Sequence, residues 1–363
     1  MNNFNILVLG ASGSGKTVFL ASLFKKLSTL GEFDFFLSVE DTKQRKSLIK
    51  IYKELIGGES WPAGTRNTVS LTFDCYTKDP EQSDRIKVCT FTYFDYAGGL
   101  ITDTAEENDI TQFESLTDNA NAVLVLIDGQ KLLYLMEDEQ LSNRVVVKFI
   151  HEDLPNLMQL VQKYPATIPV YFVITKWDLL EYKNYSLKEV KNKLLNTITE
   201  FRNVVGNRKN AGCPVRLIPI SSVGQGFAIL ENGEMKKLPG KIPQPQNLEI
   251  TLAFALTDNP SNSFDNLKSP SNSQKKSGIG KIIGYILLAF FTIILIPVGG
   301  LGFIIPIAYF LIRWFMKKNK EKNNSVHTQN NQESISKNAF VQVLNSCQSI
   351  EQKFLAEFPE SNL

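Results

Sequence analysis

The residues with the clearest chemistry lie near the N-terminus, where Gly10-Ala-Ser-Gly-Ser-Gly-Lys-Thr17 fits the pattern G-x-x-x-x-G-K-[ST] in full. The octapeptide follows an apolar run and opens a helical pattern, which is the context that this phosphate-binding motif requires. Glycines let such a loop wrap tightly, so that backbone N–H groups and a helix N-terminus point at phosphate oxygens. We expect Lys16 to bridge the β- and γ-phosphates during catalysis, and the Thr17 hydroxyl to bind Mg²⁺. Contacts to a nucleotide are expected from Gly10, Ser12, Gly13, Ser14, Gly15, Lys16, Thr17 and Val18.

A second motif, Thr175-Lys-Trp-Asp178, directly follows the apolar run Val170–Ile174 and fits [NT]-K-x-D. In that motif the carboxylate accepts two hydrogen bonds, from the ring N–H and the exocyclic amine of guanine. Adenine lacks this pair of donors and would leave a buried Asp178 unpaired, which is a strong basis for rejection. Thr175 and Lys176 belong to the same site, with the alkyl stem of Lys176 lying along the base. A solvated, helix-capping Asp178 is the alternative.

Further candidates follow other strand-like runs. Asp95-Tyr-Ala-Gly98 fits D-x-x-G, so Asp95 is expected to reach Mg²⁺ and the Gly98 N–H to meet the γ-phosphate, both in catalytic roles. Asp128 ends a similar run, but no glycine follows at that spacing, and we interpret it as a cap of the next strand. Ser221 and Ser222 fit the loop whose N–H groups contact guanine O6.

A threonine before Val69 is expected to supply a third Mg²⁺ ligand. Thr65 is favoured over Thr68, and either could instead be an ordinary turn residue.

Composition divides the chain of 363 residues into four regions. Residues 1–257 alternate short apolar runs with helical patterns, which indicates an α/β domain with a mainly parallel sheet. Residues 258–280 are rich in Ser, Asn, Pro and Lys and form a flexible linker, while 281–317 are strongly apolar and 318–363 form a polar, basic tail. Helices are predicted at Val18–Leu30 and about 41–56, 141–164, 187–205, 246–257 and 335–358, the last short and amphipathic; strands are predicted at Asn5–Leu9, Val69–Asp74, Ile86–Phe94, Ala122–Ile127, Val170–Ile174 and Val215–Ile220.

Residues 4–257 resemble a GTPase domain of the translation-factor-related (TRAFAC) class. Within that class, Trp61-Pro-Ala-Gly-Thr65, Asp95-Tyr-Ala-Gly-Gly99 and Pro245-Gln-Asn-Leu-Glu249 look like the double-GTPase branch of bacterial conflict systems. The resemblance implies a P-loop NTPase three-layer sandwich, GTP and GDP as ligands with Mg²⁺, and a regulatory GTPase that works beside an effector protein. Many small GTPases carry a water-positioning glutamine where this chain has Gly99, so hydrolysis is expected to be slow, partner-assisted or dependent on another residue. Glu106 and Gln112 follow, and nothing in the sequence selects either.

The apolar region predicts attachment to a membrane. Ile282–Ile312 contains no charged side chain, and 31 residues would extend about 46 Å as one helix, against a hydrocarbon core of about 30 Å. The cluster of turn formers at 297–302 divides the run, which favours a helical hairpin over a single tilted span. Basic residues flank both ends, which favours a cytosolic location for both: Lys275, Lys276 and Lys281 before the run, and Arg313, Lys317, Lys318, Lys320 and Lys322 after it.

Other classes of function fit less well. A net charge of +2 gives no global basic field, so no nucleic-acid partner is indicated. The four cysteines lie far apart and only two histidines exist, which makes a zinc cluster unexpected and favours buried thiols in a reducing compartment. No basic region precedes the apolar run Phe4–Leu9, so we expect a cytosolic α/β domain rather than a secreted one. The sequence thus predicts a membrane-bound GTPase switch that acts on a partner protein, with a non-hydrolysing GTP-bound adaptor as the alternative.

Overall fold

Seven strands form the central sheet of the protein, in the order β2-β3-β4-β1-β5-β6-β7. A computed structural model describes residues 2–58, 60–64, 69–78, 85–95, 120–259 and 335–363. Strand β1 pairs in parallel with β4 and β5, and β5, β6 and β7 continue in parallel, whereas β3 is antiparallel to both β2 and β4. The strands are β1 Asn2–Gly10, β2 Phe35–Ser38, β3 Val69–Lys78, β4 Arg85–Asp95, β5 Ala122–Asp128, β6 Val170–Thr175 and β7 Val215–Pro219.

Helices cover both faces of this sheet, which explains why its central strands are apolar throughout. All seven residues of β5 and all six of β6 are buried. On one face, Phe172 contacts Phe201 with 4.7 Å between ring centroids, and on the other Tyr171 packs on Phe254 at 5.9 Å. The helices are α1 Lys16–Leu27, α2 Thr42–Gly57, α3 Gly129–Glu137, α4 Arg144–Lys148, α5 Leu154–Gln162, α6 Trp177–Tyr182, α7 Leu187–Thr197, α8 Thr199–Asn210 and α9 Ile250–Thr257, with a π-helical turn at Phe149–Asp153 between α4 and α5.

The predicted α/β architecture with a mainly parallel sheet is confirmed, and all six predicted strands are present. The structure adds β2 and a separate hairpin of β8 (Ala228–Glu231) and β9 (Glu234–Lys237). The helix predicted at 187–205 is instead two helices, because Ile198 has an extended backbone with φ −114° and ψ 103°. Helix α3 was not predicted, and its existence changes the interpretation of the residue that precedes it.

The end of the chain packs on the same domain. Residues 339–363 belong to one compact unit with residues 1–263, whereas the sequence treats the tail as a region apart. A helix, α10, spans residues 335–357 and buries one apolar side. Its Phe354 contacts Phe254 of α9 at 5.8 Å, and the Leu363 N–H donates to the Val215 carbonyl of β7 at 3.0 Å. The final residues therefore cover the β7 edge of the sheet.

The predicted hairpin at 281–317 and most of the predicted linker lie outside the described residues, so both stay predictions. Among the helices that the structure does describe, none combines the length and apolarity needed to cross a membrane.

Candidate functional site

A cavity of about 360 Å³ lies where the carboxyl ends of the parallel strands meet. Protein sites for small ligands have volumes of about 300–1,000 Å³. Of the predicted nucleotide-binding residues in the described part of the chain, all except Gly10 line this cavity. They are Ser12, Gly13, Ser14, Gly15, Lys16, Thr17, Val18, Thr175, Lys176, Asp178, Ser221 and Ser222. The structure thus brings motifs that are far apart in sequence to one cavity, while their contact with a nucleotide stays a prediction.

The loop between β1 and α1 has the backbone geometry that its glycines permit. Gly13 and Gly15 have φ values of +81° and +88°, in the left-handed region that side chains with a Cβ rarely adopt. A Cβ on Gly10 would lie 2.6 Å from the Ser14 hydroxyl oxygen and 3.1 Å from the Leu126 carbonyl oxygen. Substitution of Gly10 would therefore force the loop away from β5, even though Gly10 does not line the cavity.

Lys16 opens helix α1 and is buried, with 7% of its surface exposed. Its ammonium donates to the Gly10 carbonyl at 2.7 Å, inside the curve of the loop. Thr17 follows in the first helical turn and is half-buried at the cavity wall. The apolar face of α1 anchors both residues, since Phe19, Leu20 and Leu23 are buried against the sheet.

Thr175 connects the second motif to the loop. Its hydroxyl oxygen lies 2.9 Å from the Ser14 carbonyl oxygen and 3.2 Å from that of Ile127. Gly129 packs so closely that a Cβ there would lie 2.1 Å from the Thr175 carbonyl oxygen. The ends of β5 and β6 and the loop after β1 therefore form one tightly packed unit.

Asp128 does not cap a strand, as the sequence interpretation has it, but the N-terminus of α3. Its Oδ1 accepts the Gln130 N–H at 2.9 Å. Its two carboxylate oxygens also accept from the Lys176 ammonium at 2.8 and 3.0 Å. Lys176 has a left-handed backbone with φ +50°. The correction has a physical reason: Asp128 lies at the same sheet edge as the base-reading motif, and its charge orients the lysine of that motif.

Asp178 is buried in the first turn of α6, with 5% of its surface exposed. This burial excludes the alternative of a solvated cap. The Ser221 hydroxyl donates to its Oδ1 at 2.6 Å and accepts the Gly224 N–H at 2.8 Å. Burial raises the pKa of the Asp178 carboxyl, and the hydrogen bond from Ser221 opposes that increase. A buried carboxylate at a cavity wall favours a ligand with hydrogen-bond donors.

The structure also places at the cavity several residues that the sequence analysis did not assign to it. Trp61, Pro62 and Gly64 line one side, together with Met235 of β9. The hairpin that carries Met235 has a detectable sequence signal, Asn232-Gly233, which is typical of a tight two-residue turn. Both residues have positive φ values, 53° and 83°.

Comparison with known proteins follows from this geometry. A profile of the Double-GTPase 2 family matches residues 5–209, more than half of the chain. The chain belongs to the Double-GTPase 2 family. The resemblance predicted from the short motifs is thus confirmed.

Among solved structures, a match to the Double-GTPase 2 chain is titled "Crystal Structure Analysis of sup35 complexed with GDP", with 12% sequence identity and a TM-score of 0.31. It covers 61% of this chain, and this chain spans 37% of that one. Comparison with curated protein sequences gives no match.

The metal side of the Double-GTPase 2 site is described in part. The backbone of Asp95 ends β4 and pairs with Val8 of β1, two residues before Gly10, so Asp95 and the loop lie at the same sheet edge. Gly98, Gly99, Thr65 and Thr68 lie outside the described residues, as do Glu106 and Gln112. Within the described ranges, no group of three or more His, Cys, Asp or Glu residues could hold a metal ion.

Proposed function

We propose that this chain binds GTP and GDP in the cavity and hydrolyses GTP with Mg²⁺, as a membrane-attached switch for a partner protein. The observation that carries the proposal is that buried Asp178 and buried Lys16 border the same cavity. A carboxylate and an ammonium at two parts of one cavity match the two chemically different parts of a nucleotide. Membership of a GTPase family supports the same reading.

Guanine is the base that suits the cavity. The ring N–H and exocyclic amine of guanine donate to one carboxylate, and in the proposed complex they take the two oxygens of Asp178. Adenine offers no such donor pair and would leave the carboxylate buried without compensation, at a cost of about 1–3 kcal/mol or more for a charged group. Lys176, oriented by Asp128 at 2.8 Å, lies beside this carboxylate and supplies an alkyl wall for the base.

Hydrolysis rests on Lys16, Thr17 and Asp95. In the proposed complex Lys16 moves its ammonium from the Gly10 carbonyl to the phosphates, a short displacement within the same loop. Thr17 and Asp95 fit the requirements of Mg²⁺, which is commonly bound by one or two protein oxygens together with phosphate oxygens and water. The ion would neutralise the charge that develops on the phosphates. Thr65 and Gly98 complete the proposed set.

Membrane attachment is the part of the proposal that rests on Ile282–Ile312. Because residues 339–363 pack with residues 1–263, the chain on both sides of the apolar run returns to one α/β domain. A single span would separate these parts across the bilayer, so the packing of α10 supports a hairpin. The basic residues on both flanks favour the same topology.

The proposed partner is an effector or regulatory protein that responds to the nucleotide state. The alternative function is a GTP-bound adaptor that does not hydrolyse its ligand. Gly99 favours this alternative because glycine cannot orient a water molecule, whereas the intact Lys16 and Thr17 favour hydrolysis.

The test is GTP turnover by the full-length protein reconstituted in vesicles, because a chain cut at residue 257 would lose the packed α10. Phosphate release above that of a Thr17→Ala variant supports the GTPase. Tight GTP binding without release, in the presence of Mg²⁺, would support the adaptor instead.

A further inference from the structure

The β8–β9 hairpin holds the segment that leads towards Thr65. The Trp61 indole N–H donates to the Met235 carbonyl at 2.7 Å. The Lys237 ammonium lies over the indole ring, 5.2 Å from its centroid, within the range of a cation–π contact. We call Trp61, Met235 and Lys237 the tryptophan clamp.

Lys237 fixes the same segment through its backbone. Its ammonium donates to the carbonyls of Glu54, Gly58 and Ser60 at 2.9, 3.0 and 2.7 Å. The Glu54 carbonyl belongs to the last turn of α2, where a cation is stabilised by the helix dipole. Partial burial lowers the pKa of the Lys237 ammonium, and the charge of Glu54 opposes that change. One side chain therefore joins the end of α2 to the residues before Trp61.

The clamp is continuous with the loop that reads the base. Val223, in the loop that also carries Ser221, packs in one apolar cluster with Phe227 and Leu55, and Trp61 packs against that cluster. The Trp61 and Phe227 rings meet edge to face, with centroids 6.1 Å apart. A change in the position of the base-reading loop would therefore be transmitted to Trp61 by direct contact.

We propose that Trp61 forms an aromatic wall for the purine nucleotide, and that the tryptophan clamp couples occupancy of the base site to the segment that precedes Thr65. This inference rests on the proposed function, because it requires a nucleotide in the cavity. The indole N–H is already bonded to Met235, which leaves the apolar ring as the surface that a base or ribose can contact. Trp61 also lines the cavity beside Met235 and Val223.

The test compares three variants of the full-length protein: Trp61→Phe, Lys237→Met and Lys236→Met. Lys236→Met is the matched control, because Lys236 lies on the same strand and its exposed ammonium pairs with Glu231. Binding of radiolabelled GDP is measured on filters, which does not depend on tryptophan. Tryptophan emission is recorded in parallel as GDP is added.

We expect GDP to change the emission of the wild-type protein, and Trp61→Phe to abolish most of that change. Lys237→Met should weaken GDP binding at least about fivefold, the lower end of typical couplings between sites, while Lys236→Met leaves binding and emission unchanged. Lys237→Arg keeps the cation and should restore binding. Wild-type affinity in both Trp61→Phe and Lys237→Met, with an unchanged emission response, would overturn the inference.

Two controls separate this inference from other failures. If the wild-type protein binds no GDP on filters, the proposed function fails, and the inference fails with it. Thermal unfolding without nucleotide shows whether Lys237→Met is folded. If it is not, Trp61→Phe decides, because phenylalanine keeps the aromatic packing against Phe227.

Discussion

The carboxylate of Asp128 holds the ammonium of Lys176 with both oxygens, at 2.8 and 3.0 Å, although 48 positions separate the two residues in sequence. Asp128 is largely buried at the end of β5, and Lys176 begins the turn that leads into buried Asp178. The ion pair therefore fixes the lysine stem beside the proposed base site. A residue that fits no nucleotide motif in the sequence thus becomes a positioning residue for the motif on the next strand.

Replacement of Asp128 by asparagine should weaken GDP binding about five- to fiftyfold, the scale of about 1–2 kcal/mol expected for a partly screened charge pair. Asparagine is also a good helix N-cap, so α3 should survive and the loss should be confined to the ion pair. Calorimetric titration with GDP measures the effect. Asp41→Asn is the control, since Asp41 also caps a helix, α2, but at an exposed position. Equal affinities in the wild-type and Asp128→Asn proteins would contradict the positioning role.

Removal of the Lys16 ammonium or the Thr17 hydroxyl should abolish binding of Mg²⁺–GTP without unfolding the domain. Lys16 supplies the positive charge for the phosphates, and Thr17 supplies a metal ligand. Filter binding of GTP by Lys16→Ala and Thr17→Ala measures the loss, and circular dichroism checks the fold. Lys25→Ala, an exposed lysine on the same helix, should bind as the wild type does. Unchanged GTP affinity in Lys16→Ala would mean that the loop does not bind phosphate.

Guanine nucleotide affinity should fall as the pH is lowered, beginning above the pH at which an ordinary aspartate titrates. Burial raises the pKa of Asp178, so the ligand-free protein retains a proton there that an exposed carboxyl would have lost. Guanine donors need the ionised form, and binding therefore competes with that proton. By the same linkage, the stability of the ligand-free protein declines as pH rises from the unfolded-state pKa to the raised one. GDP titrations at several pH values measure the effect, and a wild-type profile shared by Asp178→Asn would exclude this carboxyl as its source.

The end of α10 and the α/β domain should lie on the same side of the membrane. Cys347 is unsuitable as a reporter because it is buried, as are the other three cysteines. Residues 335–338 are exposed, so Ser336→Cys provides one accessible thiol, and Ser47→Cys on α2 provides the matched reporter for the domain. In intact cells, both should resist an impermeant thiol reagent and react after permeabilisation. Labelling of Ser336→Cys alone in intact cells would exclude the hairpin.

The sequence predicts the local parts of this site well, because each motif sits at a strand end marked by apolar residues. The loop of Gly10 to Thr17 and the position of Asp178 could be predicted because their chemistry is contained in eight and four consecutive residues. The bond between Trp61 and Met235 spans 174 positions, and no periodic pattern specifies it. The packing of α10 on α9 is equally invisible in composition, since a polar tail and an amphipathic helix look alike until a partner surface is known.

The central claim, guanine-specific binding through Asp178, is tested most directly by one competition experiment on the full-length protein and its Asp178→Asn variant. GDP, ADP and xanthosine diphosphate compete with a labelled guanine nucleotide for the wild-type protein, and with labelled xanthosine diphosphate for the variant. We predict that ADP binds the wild-type protein at least about a hundredfold more weakly than GDP, because it leaves the carboxylate unpaired. In Asp178→Asn, the amide suits the donor and acceptor pattern of xanthine, and preference should shift to xanthosine diphosphate. Equal affinity of the wild-type protein for ADP and GDP would contradict the account.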